Sequence, residues 1–371
     1  MTKLHELSAL GQSIWYDNIR RALIDSGELE ALLEAGVTGV TSNPSIFEKA
    51  IAGSADYDAA IRDLAAENRS VGEIYETLVL EDIQRTADLL RPIYDRTQGT
   101  DGYVSLEVSP TLATDTEATV AEARRLHGAL DRPNVMIKVP ATPDGIPAIE
   151  TLIGEGINVN VTLIFGLEAY EAVAEAYLSG LETLADNGGD LSRVSSVASL
   201  FVSRVDAAVD SALTDIGNIS LLGRIAIANS KVAYARFREI MAQGRWQALT
   251  RQGARPQRLL WASTGTKNPI YPDTLYVDAL IGGDTVNTLP PATLDAYVDH
   301  GSLRETLAEG LDEAREKLSQ LAELGIDIEA VTRKLQDEGV AAFASSFEGL
   351  MASIHEKRQK LLAPNSVTNV R

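Results

Sequence analysis

The chain has 371 residues, 45% of them hydrophobic and 23% charged, which suits one large α/β domain or two ordinary ones. Its 53 acidic residues against 33 lysines and arginines leave a net charge of −20, which disfavours nucleic acid and anionic membrane as partners. With no cysteine, disulfides, thiol nucleophiles and cysteine-bound zinc are excluded together.

The first residues hold no apolar run of signal-peptide length, and no later segment reaches membrane-spanning length, so a cytoplasmic protein is expected. Residues 4–34 read as a helix, a short strand at 12–18 ending in Asp17, and a second helix starting near Asn18. Residues 39–44 are a second strand stopped by Pro44, and 46–96 an amphipathic helical stretch. An Asp-Gly turn opens a third strand at 101–108. Residues 114–130 form a helix in which Thr114 and Glu117 have the spacing of a capping box.

The fourth strand, within 134–142, carries Lys138 among Val135, Met136, Ile137 and Val139. A short apolar run of this kind is a strand covered on both faces, as in a parallel sheet. The fifth, at 156–164, alternates Asn158, Asn160 and Thr162 with Val159, Val161 and Leu163. Period two gives one polar and one apolar row. In a barrel the apolar row faces the helices, the polar row faces the interior, and its last members reach the mouth. A helix at 167–185, a sixth strand at 194–202, helices across 205–248, a seventh strand at 258–263 and an eighth at 285–289 follow. Residues 301–362 are helical and charged, and Pro364 onwards reads as a loose tail.

Eight strands separated by helices give the pattern of a (β/α)8 TIM barrel with additional helices. No linker or composition break interrupts it, so residues 1–371 are expected to form a single domain with helices 301–362 packing on the barrel. The competing open doubly wound sheet lacks its glycine-rich first turn. No glycine fingerprint for a dinucleotide and no P-loop is present, and none of the four histidines lies in a ligand-spaced pair. Nicotinamide, ATP and metal chemistry are therefore disfavoured.

Barrel chemistry sits at the carboxyl ends of the strands. The polar residues late in each strand include Asp17, Thr41, Asn43, Glu107, Lys138, Asn160, Thr162, Ser199 and Ser263. A lysine on a buried strand either snorkels to water or is desolvated, and a desolvated amine is a nucleophile towards carbonyl carbon. An imine on Lys138 would be an electron sink able to break the bond between the third and fourth carbons of a ketose. Asp17 and Glu107 supply the acid/base pair this needs, and Thr162 could hold a water. Asn43 and Asn160 suit sugar hydroxyls. Arg204, Lys267 and Ser263 follow late strands, where barrel phosphate sites often lie, and could clamp a phosphate against the acidic field of the whole chain. A lyase using the same imine, and a sugar-phosphate binder without turnover, remain alternatives.

The stretches 39–47, 135–142, 156–164, 199–204 and 261–267 resemble those of transaldolases, in order and over residues 10–360; the chain is similar to the longer bacterial and plant-type members. The resemblance implies a cofactor-free barrel that moves a dihydroxyacetone unit from sedoheptulose 7-phosphate to glyceraldehyde 3-phosphate in the pentose phosphate pathway. It implies Lys138 as the Schiff-base lysine, Asp17 as the base at the C4 hydroxyl, and Glu107 with Thr162 as handlers of the catalytic water. Thr41, Asn43, Asn160 and Ser199 would hold the dihydroxyacetone part, and Arg204, Ser263 and Lys267 the phosphate. Shorter members carry an arginine two residues after the serine, whereas here the cation Lys267 comes four residues after Ser263. Family members often form dimers, which makes a homodimer the expected assembly.

Overall fold

The computed structural model describes residues 2–362; the tail expected from Pro364 lies outside them. Eight strands close into a barrel in sequence order: β1 (Gln12–Tyr16), β2 (Gly39–Thr41), β3 (Val104–Glu107), β4 (Val135–Pro140), β5 (Val159–Ile164), β6 (Ser196–Phe201), β7 (Arg258–Ala262) and β8 (Thr285–Leu289). All neighbours pair in parallel, and β1 closes on β8 from Gln12 opposite Thr285 to Tyr16 opposite Leu289. The architecture is a (β/α)8 TIM barrel. Nearly every strand residue is buried, because the helices cover the outside and side chains fill the inside.

Local chemistry explains how the strands end. Pro44 does more than stop β2. It is the first residue of the helix Pro44–Gly53, and Asn43 caps that helix by accepting a hydrogen bond from the Ile46 amide at 3.0 Å. Proline suits the first helical position because its missing N–H would have no partner there. The capping box expected at Thr114 does not form. The helix is Thr116–Leu130 and its cap is Asp115, whose carboxylate accepts from the Ala118 amide at 2.9 Å. An aspartate one residue nearer the helix is the better-placed acceptor. The helix expected near Asn18 begins later, at Arg21, so residues 17–20 form a loop at the barrel mouth.

The polar row of β5 divides by depth. Asn158, just before the strand, is tied to the barrel base: its amide donates to Pro133 O at 2.9 Å and accepts from the Ser195 amide at 2.8 Å. At the other end the alternation breaks, because β5 shifts register between Val161 and Ile164 and Leu163 takes φ +58°. β-bulges often re-aim side chains beside active sites. On β1, Trp15 lies opposite Gly39 of β2, and a Cβ on that glycine would sit 2.6 Å from the indole ring. The Trp15 indole N–H donates to Asp101 at 2.7 Å, so this large ring is both packed and hydrogen-bonded.

The loop after β1 is held from outside the barrel. Arg21 donates to Asp82 on the helix Val71–Arg96 at 3.0 Å, and Tyr57 donates its hydroxyl to the other Asp82 oxygen at 2.8 Å. The Tyr57 hydroxyl in turn accepts from the Arg21 amide at 3.0 Å. Asp82 is fully buried. The last helix, Ile328–Leu362, is the longest, and it crosses the barrel mouth to pack on Pro44–Gly53. Among the described residues no helix is long and apolar enough to cross a membrane.

Removing Asp82 would leave the Tyr57 hydroxyl without its acceptor and the buried Arg21 guanidinium with only the half-exposed Glu81, 2.7 Å away. Asp82→Ala should cost about 3–5 kcal/mol in denaturant-induced unfolding. A loss below about 1 kcal/mol, the range of exposed pairs, would show that the network is not structural.

Candidate active site

A cavity of about 620 Å³ opens at the carboxyl ends of the strands and is lined by residues from β1, β2 and β4 to β8 or the loops that follow them. Lys138, Asp17, Thr162, Thr41, Asn43, Ser199, Arg204, Ser263 and Lys267 all line it, so nine of the eleven residues singled out in the sequence share one cavity. The other two, Glu107 and Asn160, do not line it and lie on the strands either side of Lys138. The register explains their nearness: β4 places Lys138 opposite Glu107 of β3 on one side and opposite Asn160 of β5 on the other.

Lys138 does not snorkel. It is 5% exposed, and its Nζ donates to the Ser42 carbonyl at 3.2 Å. The Glu107 carboxylate oxygen Oε2 is 3.6 Å away, just beyond a hydrogen bond, and has no other partner among the described residues. The Thr162 hydroxyl is likewise buried with no partner. Buried polar atoms are almost always satisfied, and exceptions need an explanation such as a catalytic role. Burial pushes the Glu107 carboxyl up to about 7, with Lys138 pulling the other way. A group poised there can give or take a proton near neutral pH.

Beneath Lys138, Asn160 is held at both ends of its amide. It donates to Ser105 Oγ at 2.9 Å and accepts from Ser199 Oγ at 2.7 Å. Ser199 therefore faces the cavity with its hydroxyl already oriented. Asn43 spends its amide oxygen on capping the helix, which leaves its NH₂ group as a donor on the cavity wall.

Asp17 follows β1 directly, its amide donating to Leu289 O at 2.9 Å. Its Oδ1 accepts from Thr41 Oγ1 at 2.8 Å, and Thr41 Oγ1 is also 2.7 Å from Thr288 Oγ1. This chain of hydroxyls fixes the carboxylate at the rim. Burial holds the Asp17 carboxyl above its ordinary value, opposed by Lys138, the Thr41 hydrogen bond and Lys267. The tension between desolvation and the lysine is thus resolved in the same direction for both carboxyls.

At the outer side Arg204, Lys267 and Lys49 line the cavity, and none makes an ion pair with a carboxylate within 4.0 Å among the described residues. The Arg204 guanidinium lies 5.5 Å from the centre of the Phe201 ring. Burial lowers Lys267, and its neighbour Arg204 lowers it further. Ser263, at φ +55°, has its Oγ 3.0 Å from Ser203 Oγ. Three cations without carboxylate partners on one side of the cavity, in a chain of net charge −20, give that side a local positive charge.

Sequence reasoning missed Lys49, Arg20, Phe201, Leu260, Thr288 and Phe343 on the cavity wall. Phe201, Leu260 and Thr288 sit late in their strands, and the period-two pattern could have found them. Lys49 and Phe343 come from helices that reach the mouth only through tertiary packing, and no local signal marks them. No group of three or more His, Cys, Asp or Glu able to hold a metal is found among the described residues.

The carboxyl of Glu107 gives a pH signature. In the unfolded chain it titrates near the ordinary 4.5, and in the folded protein near 7. Between those values the unfolded chain has lost a proton that the folded protein keeps, so stability falls as pH rises through the window. Glu107→Gln removes that penalty. The stability of this variant minus that of the parent should therefore grow between pH 4.5 and 8 in urea unfolding series. A flat difference across the window would contradict the raised carboxyl.

A family model described as transaldolase/fructose-6-phosphate aldolase matches residues 14–354. A transaldolase of Trichodesmium erythraeum is 46% identical over 372 residues, covering 96% of this chain and 98% of that one. Those of Thiobacillus denitrificans and Thermobifida fusca are each 50% identical, covering 94% and 95% of this chain and 98% of their own. The chain belongs to the transaldolase/fructose-6-phosphate aldolase family.

Proposed function

We propose, from membership of this family, that the chain is a transaldolase, a transferase that carries a dihydroxyacetone unit between phosphorylated sugars on Lys138. One observation carries the reading: a lysine buried in a closed barrel, 3.6 Å from a buried carboxyl and facing a cavity rimmed by unpaired cations. Burying a lysine beside an acid costs stability that a structural role does not require. Amine chemistry gives it a purpose.

In this reading Lys138 Nζ adds to the C2 carbonyl of sedoheptulose 7-phosphate, and Glu107 protonates the resulting hydroxyl as it leaves as water. Thr162 holds that water beside Glu107. The iminium then draws electrons from the C3–C4 bond while Asp17 takes the C4 hydroxyl proton. The bond breaks, erythrose 4-phosphate departs, and a three-carbon enamine stays on Lys138. Its C3 attacks the aldehyde carbon of glyceraldehyde 3-phosphate, and Asp17 returns the proton to the new alkoxide. Water then adds at C2 with Glu107 as base, the C–N bond breaks, and fructose 6-phosphate leaves. Each proton that Asp17 or Glu107 takes is given back within the cycle, so no cofactor is consumed.

The walls sort the substrate by chemistry. Ser199, with Asn160 behind it, and the Asn43 NH₂ group bind the hydroxyls of the dihydroxyacetone part, with Thr41 beside them. Arg204, Ser263 and Lys267 bind the phosphate, with Lys49 adding a third positive charge. The lysines act as point charges without the fork of an arginine, so Arg204 supplies the directional contacts. The reading puts the reaction in the cytoplasm and in the pentose phosphate pathway, independent of metal, in a single-domain chain that assembles as a homodimer.

Two variants test it in an assay of erythrose 4-phosphate formation from the two phosphorylated sugars. Lys138→Ala should abolish turnover. Arg204→Ala should lose roughly tenfold to hundredfold in kcat/KM for the phosphorylated donor, the value of a charge-assisted hydrogen bond. Turnover surviving in Lys138→Ala would refute the reading.

A further inference from the structure

The longest helix of the chain, Ile328–Leu362, is built onto the mouth of the barrel where the chemistry is proposed to occur. Gln336 donates its amide to two carbonyls at the strand ends, Ala141 O at 2.8 Å and Leu163 O at 3.1 Å. The second bond meets Leu163 at the bulge in β5, where φ is +58°. One turn on, Gly339 lets the helix press against the same residue, since a Cβ there would lie 2.9 Å from Leu163 Cδ2. Two turns further, Ser346 Oγ is 2.7 Å from Ser45 Oγ on the helix that Asn43 caps. Spacings of three and four residues put these groups on one face of the helix.

Between those anchors stands Phe343. It is 4% exposed, it lines the cavity, and the centre of its ring is 5.9 Å from Lys138 Nζ. Lys138 therefore has a carbonyl, a carboxyl and an aromatic face around its nitrogen, and the aromatic face comes from the far end of the sequence.

We propose that Phe343 is a positioning residue that shields the imine on Lys138 from water, so that the three-carbon unit is handed to an acceptor aldehyde and not released as free dihydroxyacetone. This rests on the transaldolase reading and adds to it the element that decides between transfer and release. The two fates share one enamine. In transfer, its C3 forms a bond to the acceptor carbon. In release, C3 takes a proton, water adds to C2 of the iminium, the C–N bond breaks, and dihydroxyacetone leaves with the amine restored. Only release spends a water before the acceptor arrives. The one water that Thr162 holds serves hydrolysis after transfer; a ring over the nitrogen keeps further water from C2 and from protonating C3, and also favours the iminium cation electrostatically.

The test compares two products in one reaction. With fructose 6-phosphate as donor, and erythrose 4-phosphate as acceptor at a limiting concentration, free dihydroxyacetone and sedoheptulose 7-phosphate are quantified together. Phe343→Ala should raise the ratio of release to transfer several-fold. Phe343→Leu, which keeps apolar bulk over the nitrogen, should restore much of the parent ratio. Gln336→Ala, which loosens the helix without touching the cavity wall, should shift the ratio in the same direction as Phe343→Ala. Circular dichroism establishes that each variant is folded, and Phe343→Leu with Gln336→Ala carries the comparison should Phe343→Ala not fold. A parent protein that transfers normally while folded variants keep its ratio overturns this inference alone. A parent protein that neither transfers nor releases overturns the reading beneath it as well.

Discussion

The structure depends on how one amine is buried. Lys138 stands on a strand whose neighbours in register present Glu107 and Asn160, and its nitrogen has one hydrogen bond and one carboxyl just beyond hydrogen-bond reach. Burying an amine and a carboxyl together costs the fold the hydration of both. The barrel bears that cost because its eight strands close on themselves and the helices seal the outside, so the amine has no cheaper position to adopt. Burial acts on the neighbours too. It raises both Asp17 and Glu107, bringing Glu107 to about 7. A site with two such carboxyls around a lysine can pass protons without metal or cofactor.

The electrostatic layout of the cavity is graded from floor to rim. The floor holds the lysine with neutral Ser199 and Thr162, Asn160 standing behind Ser199. The rim holds Arg204, Lys267 and Lys49 without carboxylate partners. On the outer surface several arginines are matched, Arg124 with Glu155, Arg132 with Asp88, and Arg245 with both Glu175 and Glu182. In a chain of net charge −20, three cations without carboxylate partners lining one cavity give that opening a local positive field. In the proposed reading, an anionic substrate repelled by most of the surface is drawn to the mouth, its phosphate outward and its carbonyl toward the lysine.

Strand positions were legible in the sequence because period two and apolar runs are local signals. The eighth strand, expected at 285–289, is Thr285–Leu289 as observed. The lysine strand and the residues late in each strand were legible for the same reason, and most of them meet at one cavity. Depth was not legible. Asn158, Asn160 and Thr162 share a row, yet the first ties the base, the second orients Ser199 and only the third reaches the cavity. A repeating pattern specifies a face but not a level along the barrel axis. The break at Leu163 could not be seen either, since its contacts with Gly339 and Gln336 join segments far apart in sequence. The helix start at Arg21 was displaced by the Asp82 network, a contact between segments far apart in sequence. Lys49 and Phe343 were hidden for that reason as well.

The central claim is that the nitrogen of Lys138 forms a covalent bond with the keto carbon of the sugar. Borohydride reduction in the presence of fructose 6-phosphate, followed by peptide mass mapping, tests it most directly. The account predicts one sugar-derived mass, located on Lys138. Label on a different lysine, or none while the enzyme turns over, would contradict it.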